Sequence, residues 1–156
     1  MFFKIFIFLL IFIKSSYSHE LRPAIANLNI YEKDNIINAS LTIRLNLEAI
    51  IAEINMSHSN TKESKESDQY ESLRNMSAVE LLEKFNSKIS NLQNKIYLNS
   101  VSSNYSLTLL NIVIPEVGNT DIIRDTIINF DIKNIKDENL KFSWDKNLGS
   151  IILRVN

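Results

Sequence analysis

The chain contains no cysteine. That absence removes catalytic thiols, zinc–cysteine sites, iron–sulfur clusters and any disulfide support for the fold. His19 and His58 are the whole imidazole complement, so a nucleophilic triad has little to draw on. Two glycines and two prolines leave no glycine-rich phosphate loop and no nucleophile elbow. His19-Glu20 opens an H-E-x-x-H pattern, but Pro23 stands where its second histidine belongs. The carboxylate pairs Asp121 with Asp125 and Asp137 with Glu138 fall in turns, where they read as solvated charges rather than acid–base partners. Basic charge is also lacking, with 17 Lys and Arg against 18 Asp and Glu. No basic face for nucleic acid is expected. These absences point away from an enzyme.

What is present begins at the N-terminus. Lys4 precedes an apolar run from Ile5 to Ile13, and Ser16-Tyr17-Ser18 supplies small residues at the positions a signal peptidase reads. This is the layout of a secretory signal over residues 1–18, with cleavage after Ser18. The run is about half the length a membrane span needs. No transmembrane helix is expected in the mature chain, residues 19–156, which has the size of one domain with its own core. The expected location is outside the cytoplasmic membrane, in the periplasm.

Ile and Asn dominate the composition, as in an AT-rich coding sequence. The N-glycosylation sequons at Asn38, Asn55, Asn75 and Asn104 are therefore read as chance matches.

Hydropathy alternates over much of the chain. Ala24 to Tyr31 reads as a first strand, and Ser40 to Leu47 as a second with Leu41, Ile43, Leu45 and Leu47 on one face. Lys33-Asp34-Asn35 between them predicts a hairpin. Leu47 to Ile54 loses the period of two and reads as a short helix. Asn55 to Asp68 is polar and unanchored, as a mobile loop is. Tyr70 to Asn75 supplies a preceding helical turn. Ser77 and Glu80 then form a capping box, and Ala78, Leu82, Phe85, Ile89 and Leu92 make a stripe that predicts a helix of about four turns against the core.

Strand patterns return after Asn94. Within Tyr105 to Ile114 the apolar parity shifts by one residue, which predicts a bulge or a crossing between sheets near Leu109. Ile128, Phe130 and Ile132 align on one strand, Leu140, Phe142 and Trp144 on the next, and Ser150 to Val155 closes the series. The expectation is an antiparallel, immunoglobulin-like β-sandwich of about seven strands, with a helical insertion at about 47–93. Its core includes Leu41, Ile43, Leu45, Phe130, Phe142 and Trp144.

Cleavage after Ser18 makes His19 the mature N-terminus. Its free amine titrates near about pH 8 and its imidazole near about 6.5, so both are neutral nitrogen donors near neutrality. Together they chelate one ion, and their type suits Cu(II) or Ni(II). Glu20 offers an oxygen and His58 a third nitrogen.

Three segments have a familiar order: His19-Glu20-Leu21-Arg22-Pro23-Ala24-Ile25-Ala26; Leu41-Thr42-Ile43-Arg44-Leu45-Asn46-Leu47-Glu48-Ala49; and Ser143-Trp144 through Gly149 to Leu153-Arg154. Together they resemble the exported N-terminal domain of membrane proteins of the HupE/UreJ type, associated with hydrogenase and urease maturation. The resemblance implies a periplasmic β-rich accessory domain at the outer face of the cytoplasmic membrane. It also implies, as partner, a bundle of membrane helices regarded as a nickel or cobalt permease. The histidine motifs of that transport path are not in this chain. Without the permease link, the same features suit a general periplasmic interaction module that meets another envelope protein and has no metal role.

Overall fold

A computed structural model describes residues 21–55, 60–136 and 139–156. The chain opens with β1 (Ala24–Lys33) and β2 (Ile36–Asn46). Asp34 and Asn35 between them have φ of 54° and 59°, the left-handed pair that a tight two-residue hairpin requires and that Asp and Asn tolerate. Four helices follow: α1 (Leu47–Ala52), α2 (Ser67–Arg74), α3 (Ala78–Asn86) and α4 (Ile89–Gln93). The remaining strands are β3 (Ile96–Asn99), β4 (Asn104–Tyr105), β5 (Thr108–Val113), β6 (Asp125–Ile135), β7 (Lys141–Trp144) and β8 (Ile151–Val155).

The strands form two sheets, of order β5-β6-β2-β1-β8 and β4-β3-β7. Their inner faces share one apolar core with the helical segment. This is a mainly β sandwich with a helical insertion, the class that the alternation predicts. One pairing departs from the antiparallel rule: β8 runs parallel to β1, with Ala26 opposite Leu153. The connection back from β7 turns within residues 145–150, so β8 joins the large sheet instead of extending the small one.

The inward side chains of β2 and β6 meet in register. Leu41 faces Phe130 and Ile43 faces Ile128, and all four are buried. The outward face of the same strands is polar. Thr42 donates to Asn129 Oδ1 at 2.7 Å, and Asn129 Nδ2 donates to Asn111 Oδ1 at 2.6 Å. Much of the asparagine thus serves the solvent side of a sheet, as period-two patterning requires.

The parity shift near Leu109 appears as two events. β4 pairs with β3 in the small sheet and β5 pairs with β6 in the large one, so the chain crosses between sheets at residues 106–107. A register irregularity then falls between Leu109 and Asn111, leaving Leu110 exposed.

The helical segment differs from the expected single long helix. The capping box is present, with Ser77 Oγ accepting from Glu80 N–H and Glu80 Oε2 accepting from Ser77 N–H. The helix stops at Asn86 and restarts at Ile89. Within α3 the buried pair is Leu81 and Phe85, one turn apart, while Leu82 is only half-buried; Leu92 is buried after the break. The polar stretch before α2 is partly built as well. Asn60 caps a 3₁₀ turn at Thr61–Glu63, and Thr61 and Ser64 are buried. Phe142 and Trp144 pack at the margin of the core rather than inside it.

The packing predicts a contrast that sequence patterning alone does not. Phe85→Ala should cost about 3–5 kcal/mol and Leu82→Ala clearly less, because only Phe85 leaves a closed cavity. Urea denaturation of both variants measures this; equal losses would contradict the rotated stripe.

Candidate functional site

His19, Glu20 and His58 lie outside the described residues. Among the described residues no group of three or more His, Cys, Asp and Glu converges in a way that could hold a metal ion. No described helix is long and apolar enough to cross a membrane. The described chemistry is concentrated in a buried polar clamp and a groove beside it.

The clamp starts where β2 becomes α1. Asn46 accepts from Ala49 N–H as the N-cap of α1 and donates through Nδ2 to the Tyr70 hydroxyl at 2.9 Å. Glu48, in the first turn of α1, is 1% exposed. Its Oε1 accepts from Arg124 Nε at 2.7 Å. Arg124 spends its other donors on backbone carbonyls: Met76 at 3.0 Å, Pro115 at 3.3 Å and Leu73 at 3.4 Å. A second buried arginine, Arg74, donates to the Tyr70 hydroxyl at 3.1 Å and to the carbonyls of Thr120 and Ile122. Its guanidinium also sits 5.4 Å from the Tyr70 ring centroid, within cation–π range. Burial pushes the Tyr70 phenol pKa up, against the opposing pull of the Asn46 hydrogen bond and the Arg74 charge.

Two arginines therefore pin the irregular segment 115–124 to the helices. A planar guanidinium with five donors suits this work, since one side chain satisfies several carbonyls left over where helices end.

The groove, of about 900 Å³, opens between the helical segment and the 145–150 turn. Ile50, Ile54, Leu92 and Leu148 give it apolar lining. Lys88, Lys95 and Lys146 give it positive charge, and Glu53 is the only acidic residue among the lining groups. Glu53 ends α1 in the left-handed region at φ 60°, a conformation that usually falls to Gly at a helix end. Its carboxylate meets Lys88 Nζ at 2.5 Å. Neither Lys95 nor Lys146 has a carboxylate within 4.0 Å among the described residues.

The turn that closes the groove is tightly specified. Asp145 accepts from Asn147 N–H at 2.7 Å and donates its own N–H to the Lys95 carbonyl at 3.0 Å. Gly149 has φ 83° and ψ −164°, a region essentially restricted to glycine, and its carbonyl accepts from Trp144 Nε1 at 3.0 Å. The next carbonyl, of Ser150, accepts from Ala24 N–H at 3.0 Å. The start of β1 is thereby tied to the groove rim.

Of the carboxylates weighed from the sequence, Asp125 lies 3.7 Å from Arg44 with both side chains half-exposed, as a solvated surface pair. Sequence reasoning did not find Glu48, Arg74, Arg124 or the groove lysines. Their partners are far away in the chain, and a single sequence carries no sign of which arginine becomes buried. Compared with protein-family models, curated proteins and solved structures, the chain matches none.

The groove carboxylate gives a pH prediction. The hydrogen bond from Lys88 and then its charge hold the Glu53 pKa below the ordinary glutamate value, with burial opposing and Lys95 adding a further downward pull. A depressed folded-state pKa means stabilisation that is present above the unfolded value and is lost as pH falls through the folded one. Glu53 is 69% exposed, so the contribution is under about 1 kcal/mol. A carboxyl NMR titration should show Glu53 moving upward in Lys88→Ala and less in Lys95→Ala. An unchanged midpoint in Lys88→Ala would contradict the pairing.

Proposed function

We propose that this chain is an exported accessory domain with no catalytic role. In this reading it works at the outer face of the cytoplasmic membrane beside permease-like helices of the HupE/UreJ type, and it captures or presents Ni(II) or Cu(II) through His19, Glu20 and His58. One observation carries the reading. It is the coincidence of a signal-type cleavage site with His19-Glu20 in a chain that resembles metal-permease ectodomains. Asn55, three residues before His58, lines the groove, whereas Arg22 and Pro23, the described residues close to His19, lie beside Arg44 and Asp125. The groove lysines repel a bare dication, so the groove interior is not where a metal would be held.

A second reading, the plain interaction module, draws on β8. This edge strand leaves Ile152 at 48% and Val155 at 58% exposure, and an unpaired apolar edge is a ready template for a partner strand.

Calorimetry separates the two. The chain beginning at His19 should bind Ni(II) or Cu(II), with affinity falling as pH drops through about 6.5, the unperturbed imidazole pKa. His19→Ala, or one extra residue before His19, should weaken binding strongly, and His58→Ala less. Equal affinity with and without the extra residue would remove the metal role and leave the interaction module.

A further inference from the structure

The groove is an electrostatic exception. The chain as a whole carries a formal charge of −1, yet the groove gathers three lysines and one glutamate. Glu53 pairs with Lys88 at 2.5 Å and feels Lys95 more weakly, and neither Lys95 nor Lys146 has a carboxylate within 4.0 Å among the described residues. Ammonium groups act as compact point charges and do not select a planar, bidentate partner. They suit a carboxylate or phosphate equally. Beneath them the lining is apolar, through Ile50, Leu92 and Leu148, and this part gains free energy only from an apolar body. The volume of about 900 Å³ lies in the range of small-molecule sites, roughly 300–1,000 Å³.

The walls also look built for a fixed shape. Glu53 is held in a left-handed conformation at the rim, which costs a non-glycine residue free energy and tends to recur at ligand clamps. The opposite wall depends on Gly149, in a region that glycine alone adopts readily, and on the Trp144 hydrogen bond to its carbonyl.

We propose that this groove binds a small organic anion, with its carboxylate or phosphate head at Lys95 and Lys146 and its apolar body on Ile50, Leu92 and Leu148. The assignment goes beyond the metal reading and does not depend on it, since none of these residues is a candidate metal ligand. Glu53 becomes a competitor of the ligand head for the lysine charge, so an anion enters a site whose third cation is already neutralised.

The test uses 8-anilinonaphthalene-1-sulfonate, an apolar body with one anionic head, followed by fluorescence in the purified protein. Saturable binding at one site is expected. Decanoate or decyl phosphate should displace the probe, and whichever competes better identifies the head. Acetate, inorganic phosphate and decyltrimethylammonium at equal concentration should not displace it. Lys95→Ala/Lys146→Ala should weaken binding about tenfold, the scale expected for losing two partly screened charges. Lys33→Ala/Lys133→Ala, at the far end of the large sheet, should leave it unchanged, and thermal melts confirm that both pairs fold. The proposal is overturned by equal losses in the two pairs, by displacement with the cation, or by no saturable binding up to about 1 mM, the weak end of specific affinity.

Discussion

The buried ion pair between Glu48 and Arg124 is the contact on which the rest of the arrangement depends. Glu48 belongs to the first helical turn after β2, and Arg124 immediately precedes β6, the strand that pairs with β2. The stretch between them holds the helical insertion, β3 and β4 of the small sheet and β5 of the large one, and this contact ties its two ends together. Arg124 then binds the carbonyls of Leu73, Met76 and Pro115, so one side chain locates the end of α2, the approach to α3 and the start of the 115–124 segment. Glu48 Oε2 has no hydrogen-bond partner among the described residues, which makes the charge still more dependent on its one arginine. Replacing such a pair with apolar groups is often neutral, whereas removing one partner is costly. Its role here is geometric: it ties α1 to the segment that enters β6 and, through Arg124, to the end of α2 and the approach to α3.

How far this was legible in the sequence follows from the range of each interaction. Period-two alternation located β1, β2 and β6 and their inward residues, because pleating and burial act residue by residue. The Ser77–Glu80 capping box is local and was legible for the same reason. The break at Ser87–Lys88 was not, because a stripe at spacings of three and four fits one helix or two. The burial of Leu81 rather than Leu82 was not legible either. The parity shift at Leu109 signalled that faces change, but only the pairing shows that β4 and β5 belong to different sheets. The parallel β1–β8 pairing, the marginal place of Trp144 and the clamp arginines all depend on contacts across the fold, which no local pattern encodes.

The groove follows from the clamp. Its walls come from α1, from α4 and from the 145–150 turn, three pieces far apart in sequence. The clamp sets α1 relative to the large sheet. The hydrogen bond from Asp145 N–H to the Lys95 carbonyl sets the turn relative to the small one. Charge, apolar lining and the start of β1 then meet in one place. The two proposals draw on different residues: His19, Glu20 and His58 for a metal, and the groove lysines Lys95 and Lys146 for an organic anion. The anion site needs the insertion held in one position, since Ile50, Leu92 and Lys95 all belong to it or border it.

A double-mutant cycle on Glu48 and Arg124, followed by urea denaturation, is the most direct measurement of that requirement. Arg124→Met alone should cost about 3–5 kcal/mol, because it strands a buried carboxylate. Glu48→Met with Arg124→Met together should cost much less than the two single losses added, giving a coupling energy within about 0.5–3 kcal/mol. Single losses below about 1 kcal/mol that simply add, the behaviour of a solvated surface pair, would contradict the account.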